Sequence, residues 1–258
     1  SKFIYTPTGE QRIMQIKKFE KEYDVKSYEC DKNGGLRLLT LMNIFQDIAD
    51  SHASALGIGI EHCLAHGLAW IGSNYIINIE RLPQWHEKIR IVTWPAVEKK
   101  IGAVRDFLVF DEKGLVIIRA SSQWVLINYE KRRPVSLRDN LPEYHIIDER
   151  ALFTDFPKIE DFESVDFHRC FAIRFDDIDI NNHVNNSVYP LWASEAVPPQ
   201  FRLTHRPETL EVAFKKEGLF GEDVNVLTRL DGQISLHSIQ AQSDGRELAK
   251  VKIVWKEI

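Results

Sequence analysis

Cysteine is scarce. The 258 residues hold three, Cys30, Cys63 and Cys170. They form no C-x-x-C pair and no disulfide framework, which fits a reducing compartment. Each reads as a buried, inert thiol, so thiol catalysis is disfavoured. Long apolar runs are absent too; none approaches the ~20 residues needed to cross a bilayer. The opening segment SKFIYTPTGEQR lacks the apolar core of a signal peptide. The expectation is a cytoplasmic protein with no membrane span. Basic charge is not in excess: 33 Lys and Arg face 38 Asp and Glu, a net charge of −5. That excludes a generic basic nucleic-acid binder. No G-x-G-x-x-G, P-loop or H-E-x-x-H occurs, and no second histidine stands at ligand spacing from the candidate residues below. Neither a cofactor nor a metal is expected.

What is present is an ordinary globular composition, 44% apolar and 28% charged. It is arranged twice. Asp31-Lys-Asn33-Gly-Gly35-Leu36 matches Asp179-Ile-Asn181-Asn-His183-Val184, 148 residues later. After the first copy, Leu41, Ile44, Phe45, Ile48 and Ala49 draw one apolar helical face. The same stripe returns as Tyr189, Trp192, Ala193 and Ala196. Residues 76–93 lie over 211–228 without a gap, as two alternating runs around a turn. The segments 111–128 and 243–258 each place a glycine in a hairpin and a tryptophan ten residues on, Trp124 and Trp255. Each half reads as strand, long helix, then several antiparallel strands, an α+β pattern in which one helix and one curved sheet bury each other. The first half is set at 1–135 and the second at 166–258. The polar, acidic stretch 136–165 between them is a linker with room for a short helix.

Two related halves can divide labour, so the informative residues are those found in only one copy. Gly35 and Leu82 in the first half become His183 and Glu217 in the second. Taken singly, Asp and Asn before a helix are ordinary turn and cap residues, and a lone His or Glu is ordinary surface. Together they matter, because the sibling folds without the His and the Glu. An extended Asp179-x-Asn181-x-His183 would send all three side chains to one side. With Glu217, that offers a base or nucleophile, an amide donor and an imidazole that titrates near neutrality. The following helix, capped by Asn185, Asn186 or Ser187 and carrying Pro190 in its first turn, would add free N–H groups for an oxyanion.

At these residues a resemblance enters. DIDINNHVNNSVYPLWASEAVP resembles the D-x-D-x-N-x-H-V-N-N block of the acyl-acyl-carrier-protein (acyl-ACP) thioesterases, the plant plastid type and its bacterial relatives. Further blocks follow the family in order: Leu39 to Gln46, Trp85 to Trp94, Val104 to Val109, and Arg119 to Asn128 with the pair Arg132-Arg133. The resemblance implies a double hotdog fold of two tandem halves, each with a sheet wrapped around a long helix. It implies hydrolysis of the thioester between a fatty acyl chain and acyl carrier protein, with the chain lodged in the first half and catalysis in the second. The family's catalytic residues fall on Asp179, Asn181, His183 and Glu217. Where the family carries Cys after that Glu, this chain has Gly218. The departure argues for a carboxylate-driven route.

The acyl tail is expected along the first helix and the facing strands, at Met42, Ile48, Ala49, Trp70 and Ser73. The carrier protein is acidic, so docking needs a local positive patch; Lys131, Arg132 and Arg133 are the candidates, with Lys99-Lys100 as another. The chain is expected as a monomer that is its own pseudo-dimer, or as a homodimer. Two other readings remain open: an acyl-CoA thioesterase of the same fold, and a non-catalytic acyl-binding sensor.

Overall fold

The computed structural model describes residues 18–258. The segment read above as lacking a targeting core lies outside them. Chain order in the first half is β1 (Phe19–Asp24), α1 (Leu38–Ala55), α2 (Ile60–Ala65), β2 (Leu68–Ile79), β3 (Lys88–Glu98), β4 (Gly102–Phe110), β5 (Val116–Asn128) and the two-residue β6 (Arg133–Pro134). After a short helix α3 (Leu137–Asn140) come β7 (Phe167–Ala172), α4 (Val188–Ala196), α5 (Pro199–Thr204), β8 (His205–Phe214), β9 (Asp223–Asp231), β10 (Ile234–Ala241) and β11 (Glu247–Glu257).

All strand neighbours are antiparallel, and the order β1-β3-β4-β5-β2-β8-β11-β10-β9-β7 reads the same from either end once each strand is replaced by its counterpart. The register repeats as well. Phe19 faces Thr93 on β1 and β3, and Phe167 faces Thr228 on β7 and β9. The halves join where β2 pairs with β8, and the pseudo-twofold passes through the Ile76–Glu211 pair. This is the double hotdog arrangement that the resemblance implies.

One core runs through both halves. Helix α1 buries Leu41, Met42, Ile44, Phe45 and Ile48 against the first sheet; each such side chain contributes about 1.5–3 kcal/mol. Tyr75 on β2 meets Phe214 on β8 edge-to-face at 6.4 Å across the junction.

The second helix is shorter than the sequence stripe implies. α1 runs for 18 residues and α4 for nine. Pro198-Pro199 ends it: proline lacks the N–H that the helix needs and disfavours the helical conformation in the residue before it. Pro199 instead starts α5. There Phe201 packs edge-on against Trp255 at 5.7 Å and stacks on His205. His237 fills the same region, between Thr228 and Ser235, each at 2.8 Å. Burial lowers its pKa to about 3, so it stays neutral as a packing residue.

The linker is a strap over the sheet. Buried Asp106 accepts from Ser121 Oγ at 2.6 Å, Arg150 Nε at 3.0 Å and the Ala151 amide at 2.7 Å. Trp94 Nε1 donates to the Glu149 carbonyl at 2.9 Å. Further along, Glu160 pairs with Lys252, and Asp161 with Lys250. Cys30 and Cys63 are buried, but Cys170 is exposed on the edge strand β7, where its thiol reaches Asn225 at 3.0 Å. An edge strand has neighbours on one side only, and so the alternation there buried less than the sequence reading assumed. Among the described residues no helix is long and apolar enough to cross a membrane, and no group of three or more metal-ligating side chains is placed to hold an ion.

Candidate active site

Asp179 opens the turn that carries the candidate cluster. Its Oδ1 accepts the amides of Asn181 at 2.8 Å and His183 at 3.3 Å. Its own amide donates to the His183 carbonyl at 2.8 Å. The segment is therefore a closed turn, not the extended run read from the sequence. Asn182 sits at its tip with φ +63°, a conformation that asparagine tolerates better than most residues. Asp31 makes the same bonds in the first half, to the amides of Asn33 at 2.8 Å and Gly35 at 3.3 Å, with Gly34 at φ +84°. A carboxylate that does the same work in both siblings is a turn organiser.

The turn is then tied to the β8–β9 connection. The Val184 amide donates to the Gly218 carbonyl at 3.0 Å, as Leu36 does to Pro83 at 2.9 Å in the first half. That tie brings the two divergent positions together. His183 Nε2 lies 3.2 Å from Glu217 Oε2, both side chains partly buried. In the first half a Cβ on Gly35 would lie 3.4 Å from Leu82 Cβ. The sibling contact is apolar and has no side chain on one side.

Gly218 sits in a tight spot. A Cβ there would meet Val184 Cγ2 at 3.0 Å and the Tyr189 hydroxyl at 3.3 Å. Its amide donates to that hydroxyl at 3.1 Å, and burial pushes the Tyr189 pKa up to about 12. Two of the amides at the helix start are committed: Ser187 N–H goes to Asn185 Oδ1 at 3.0 Å and Val188 N–H to the Asn185 carbonyl at 2.9 Å. The N-cap itself is Ser187; Asn185 lies two residues before it, and its Oδ1 also accepts Gln46 Nε2 of α1 at 2.9 Å, linking the halves. Asn181 is exposed, and its side chain makes no hydrogen bond among the described residues. The four predicted residues thus divide: His183 and Glu217 meet, Asp179 serves the backbone, and Asn181 stands at the rim.

Arg132 was grouped with a docking patch. It is exposed but reaches from the first half to the second, its guanidinium 2.5 Å from Glu217 Oε2. Lys131 and Arg133 remain exposed and form no ion pair among the described residues.

A cavity of about 60 Å³ lies between α1 and the first sheet, lined by Ala49, Ala53, Trp70, Trp124, Arg105 and Tyr144 among others. Ala49 and Trp70 were expected to line it. Met42 and Ile48 belong to the closed core, and Ser73 turns back to the Gln123 carbonyl at 3.1 Å beside the β-bulge of β2. Buried Arg105 donates to His52 Nδ1 at 3.0 Å and Thr93 Oγ1 at 3.2 Å, and desolvation lowers its pKa to about 10. A Cβ on Gly72 would touch Trp124 at 3.4 Å and Asn186 Nδ2 at 3.0 Å. The cavity wall therefore adjoins the segment that follows His183. Sequence reading gave Arg132 and Asn186 other roles, as a docking residue and a helix cap, and missed Gly72. The glycine opposite a tryptophan strand was the available signal for close approach.

Two family models match the chain: the acyl-ACP thioesterase N-terminal domain over residues 16–144 and its C-terminal domain over 160–257. Among curated relatives, the chloroplastic acyl-carrier-protein hydrolase FATB2 of Cuphea viscosissima is 26% identical over 270 residues, 97% of this chain and 66% of the relative. The chloroplastic palmitoyl-acyl carrier protein thioesterase of Cuphea hookeriana is 27% identical, covering 92% of this chain and 62% of its own length. The chain thus spans just under two thirds of these two relatives. Among solved structures, the 12:0-ACP thioesterase of Umbellularia californica superposes with a TM-score of 0.83 at 24% identity, covering 93% of this chain and 98% of the other. An acyl-ACP thioesterase of Bacteroides thetaiotaomicron gives 0.84 at 23% identity, covering 95% and 99%. At those identities the structures speak to the fold.

Proposed function

The chain belongs to the acyl-ACP thioesterase family, and from that premise we propose that it hydrolyses fatty acyl-ACP to free fatty acid and carrier protein. The observation that carries the reading is the contact of His183 with Glu217 at 3.2 Å, on positions that are glycine and leucine in the sibling half. Glu217 takes a proton from water, and the hydroxide adds to the thioester carbonyl carbon. Asn181 and His183 hold the oxyanion. The carbon–sulfur bond then breaks, and the proton held at Glu217 passes to the departing thiolate. Asp179 keeps the turn in shape, which supports Glu217 as the base. Gly218 supplies no thiol, so the route runs through a carboxylate.

The acyl chain enters the cavity beneath α1, past Trp124. The relatives carry names for 12:0, palmitoyl and oleoyl chains, so the cavity of this chain, and not its family, sets the preferred length. Lys131 and Arg133 face the acidic carrier. Products from a panel of acyl-ACPs and the matching acyl-CoAs test the reading. Free fatty acid should form from the carrier-linked substrates at higher kcat/KM than from the CoA esters. Equal or better use of CoA would move the assignment to the acyl-CoA reading, and no hydrolysis of either would end it.

A further inference from the structure

Glu217 stands on the second half, yet its strongest partner comes from the first. Arg132 and His183 contact the same oxygen, Oε2, at 2.5 and 3.2 Å. Among the described residues Oε1 has no hydrogen-bond partner. The carboxylate is thus gripped at one oxygen and open at the other.

The grip is held against a conformational cost. Arg132 has φ +53°, a left-handed conformation that favours glycine and disfavours a β-carbon. Three bonds fix the turn around it. Asn128 Oδ1 accepts the Lys131 amide at 2.8 Å, the Asn128 carbonyl accepts the Arg132 amide at 2.9 Å, and the Tyr129 amide donates to the Gly67 carbonyl at 2.8 Å. Backbone strain concentrates where function over-determines the geometry. Here the strained residue is the one that reaches across.

We propose that Arg132 is a positioning residue for the proposed hydrolysis: it anchors Glu217 Oε2 so that Oε1 is the oxygen that takes the proton from water. The active site is then composite, with its base mounted on the second half and steered from the first. The inference rests on the acyl-ACP hydrolase reading.

The test uses the whole protein and the acyl-ACP that wild type hydrolyses best. Arg132→Gly should lower kcat about 10²-fold, the scale of a misplaced catalytic group, with little change in KM. Its Tm should stay level or rise, because glycine relieves the positive φ. Arg132→Lys should recover part of the lost kcat. Added to Glu217→Gln, Arg132→Gly should cause almost no further loss, because the residue it steers no longer acts as a base. An unchanged kcat in Arg132→Gly, a loss that follows a fallen Tm, or losses that multiply in the double variant would each overturn the proposal. Wild type serves as the control: if it hydrolyses no acyl-ACP, the functional reading falls and takes this inference with it. If it hydrolyses well and Arg132→Gly matches it, only the role of Arg132 falls.

Discussion

In the first half Gly35 lies against Leu82; in the second His183 lies against Glu217, on a backbone that repeats the same hydrogen bonds. Beneath these turns the difference is reversed. Ala49 and Ala53 on the uninterrupted α1 leave a cavity in the first half. In the second, the helix stops before Pro198-Pro199, and Phe201, at the same distance along the chain as Ala53, packs onto Trp255. One half keeps space and gives up polar chemistry; the other keeps the chemistry and fills the space. On the proposed function, a duplicated scaffold separates binding from bond cleavage at the cost of a few side chains. The halves meet at the junction, where Asn186 lies beside Gly72, the strand partner of Trp124 in the cavity wall, and Arg132 crosses to Glu217.

The division can be disturbed from either side. Ala53→Phe gives the first half the aromatic of the second and should fill space in the cavity that Ala53 lines. Each methylene that loses its buried site forfeits about 0.8 kcal/mol, so a chain four carbons too long for the remaining space should lose on the order of 10²-fold in kcat/KM. Product profiling across chain lengths reads this as a move to shorter acids. An unchanged profile would detach the cavity from the acyl chain.

A smaller effect separates the two aspartates from the chemistry. Asp31 and Asp179 each accept two backbone amides at the same distances, 2.8 and 3.3 Å. Asp31→Ala and Asp179→Ala should each cost about 1–2 kcal/mol of stability, the usual loss when a capping carboxylate is removed. Asp179→Asn keeps an acceptor and should retain much of the turnover. Turnover that vanishes in Asp179→Asn with Tm intact would return the base role to Asp179.

The repeat was legible because the residues that fix backbone geometry leave a pattern. The Asp-x-Asn turn, the tryptophans at the end of β5 and β11, and the alternating strands set the register in both halves, and the sequence spacing placed them. The stop after Ala196 was legible too, in Pro198-Pro199, but the apolar stripe outweighed it. The closed shape of the Asp179 turn had a signal in its sibling: glycine at 34 opposite asparagine at 182 marks a positive φ, and an extended run has no use for one. Arg132 had no such signal. A Lys-Arg-Arg run looks like a solvated patch, and its partner lies 85 residues away. Pairs at that separation are made by strand order, which local pattern does not encode. The cavity was half legible. Helical periodicity identified which side of α1 faces inward, but only packing decided that Ala49, a core residue too, also borders the cavity while Met42 and Ile48 do not.

The central claim is that the second half cleaves the thioester because Glu217 stands where the first half has leucine. Glu217→Leu writes the sibling residue into that position, at a site where leucine already packs in the same fold. Single-turnover hydrolysis of an acyl-ACP by this variant is the most direct measurement. The account predicts a loss on the order of 10²–10⁴-fold, the scale of a missing general base, with Tm held or raised. Near wild-type hydrolysis by a folded Glu217→Leu protein would contradict it.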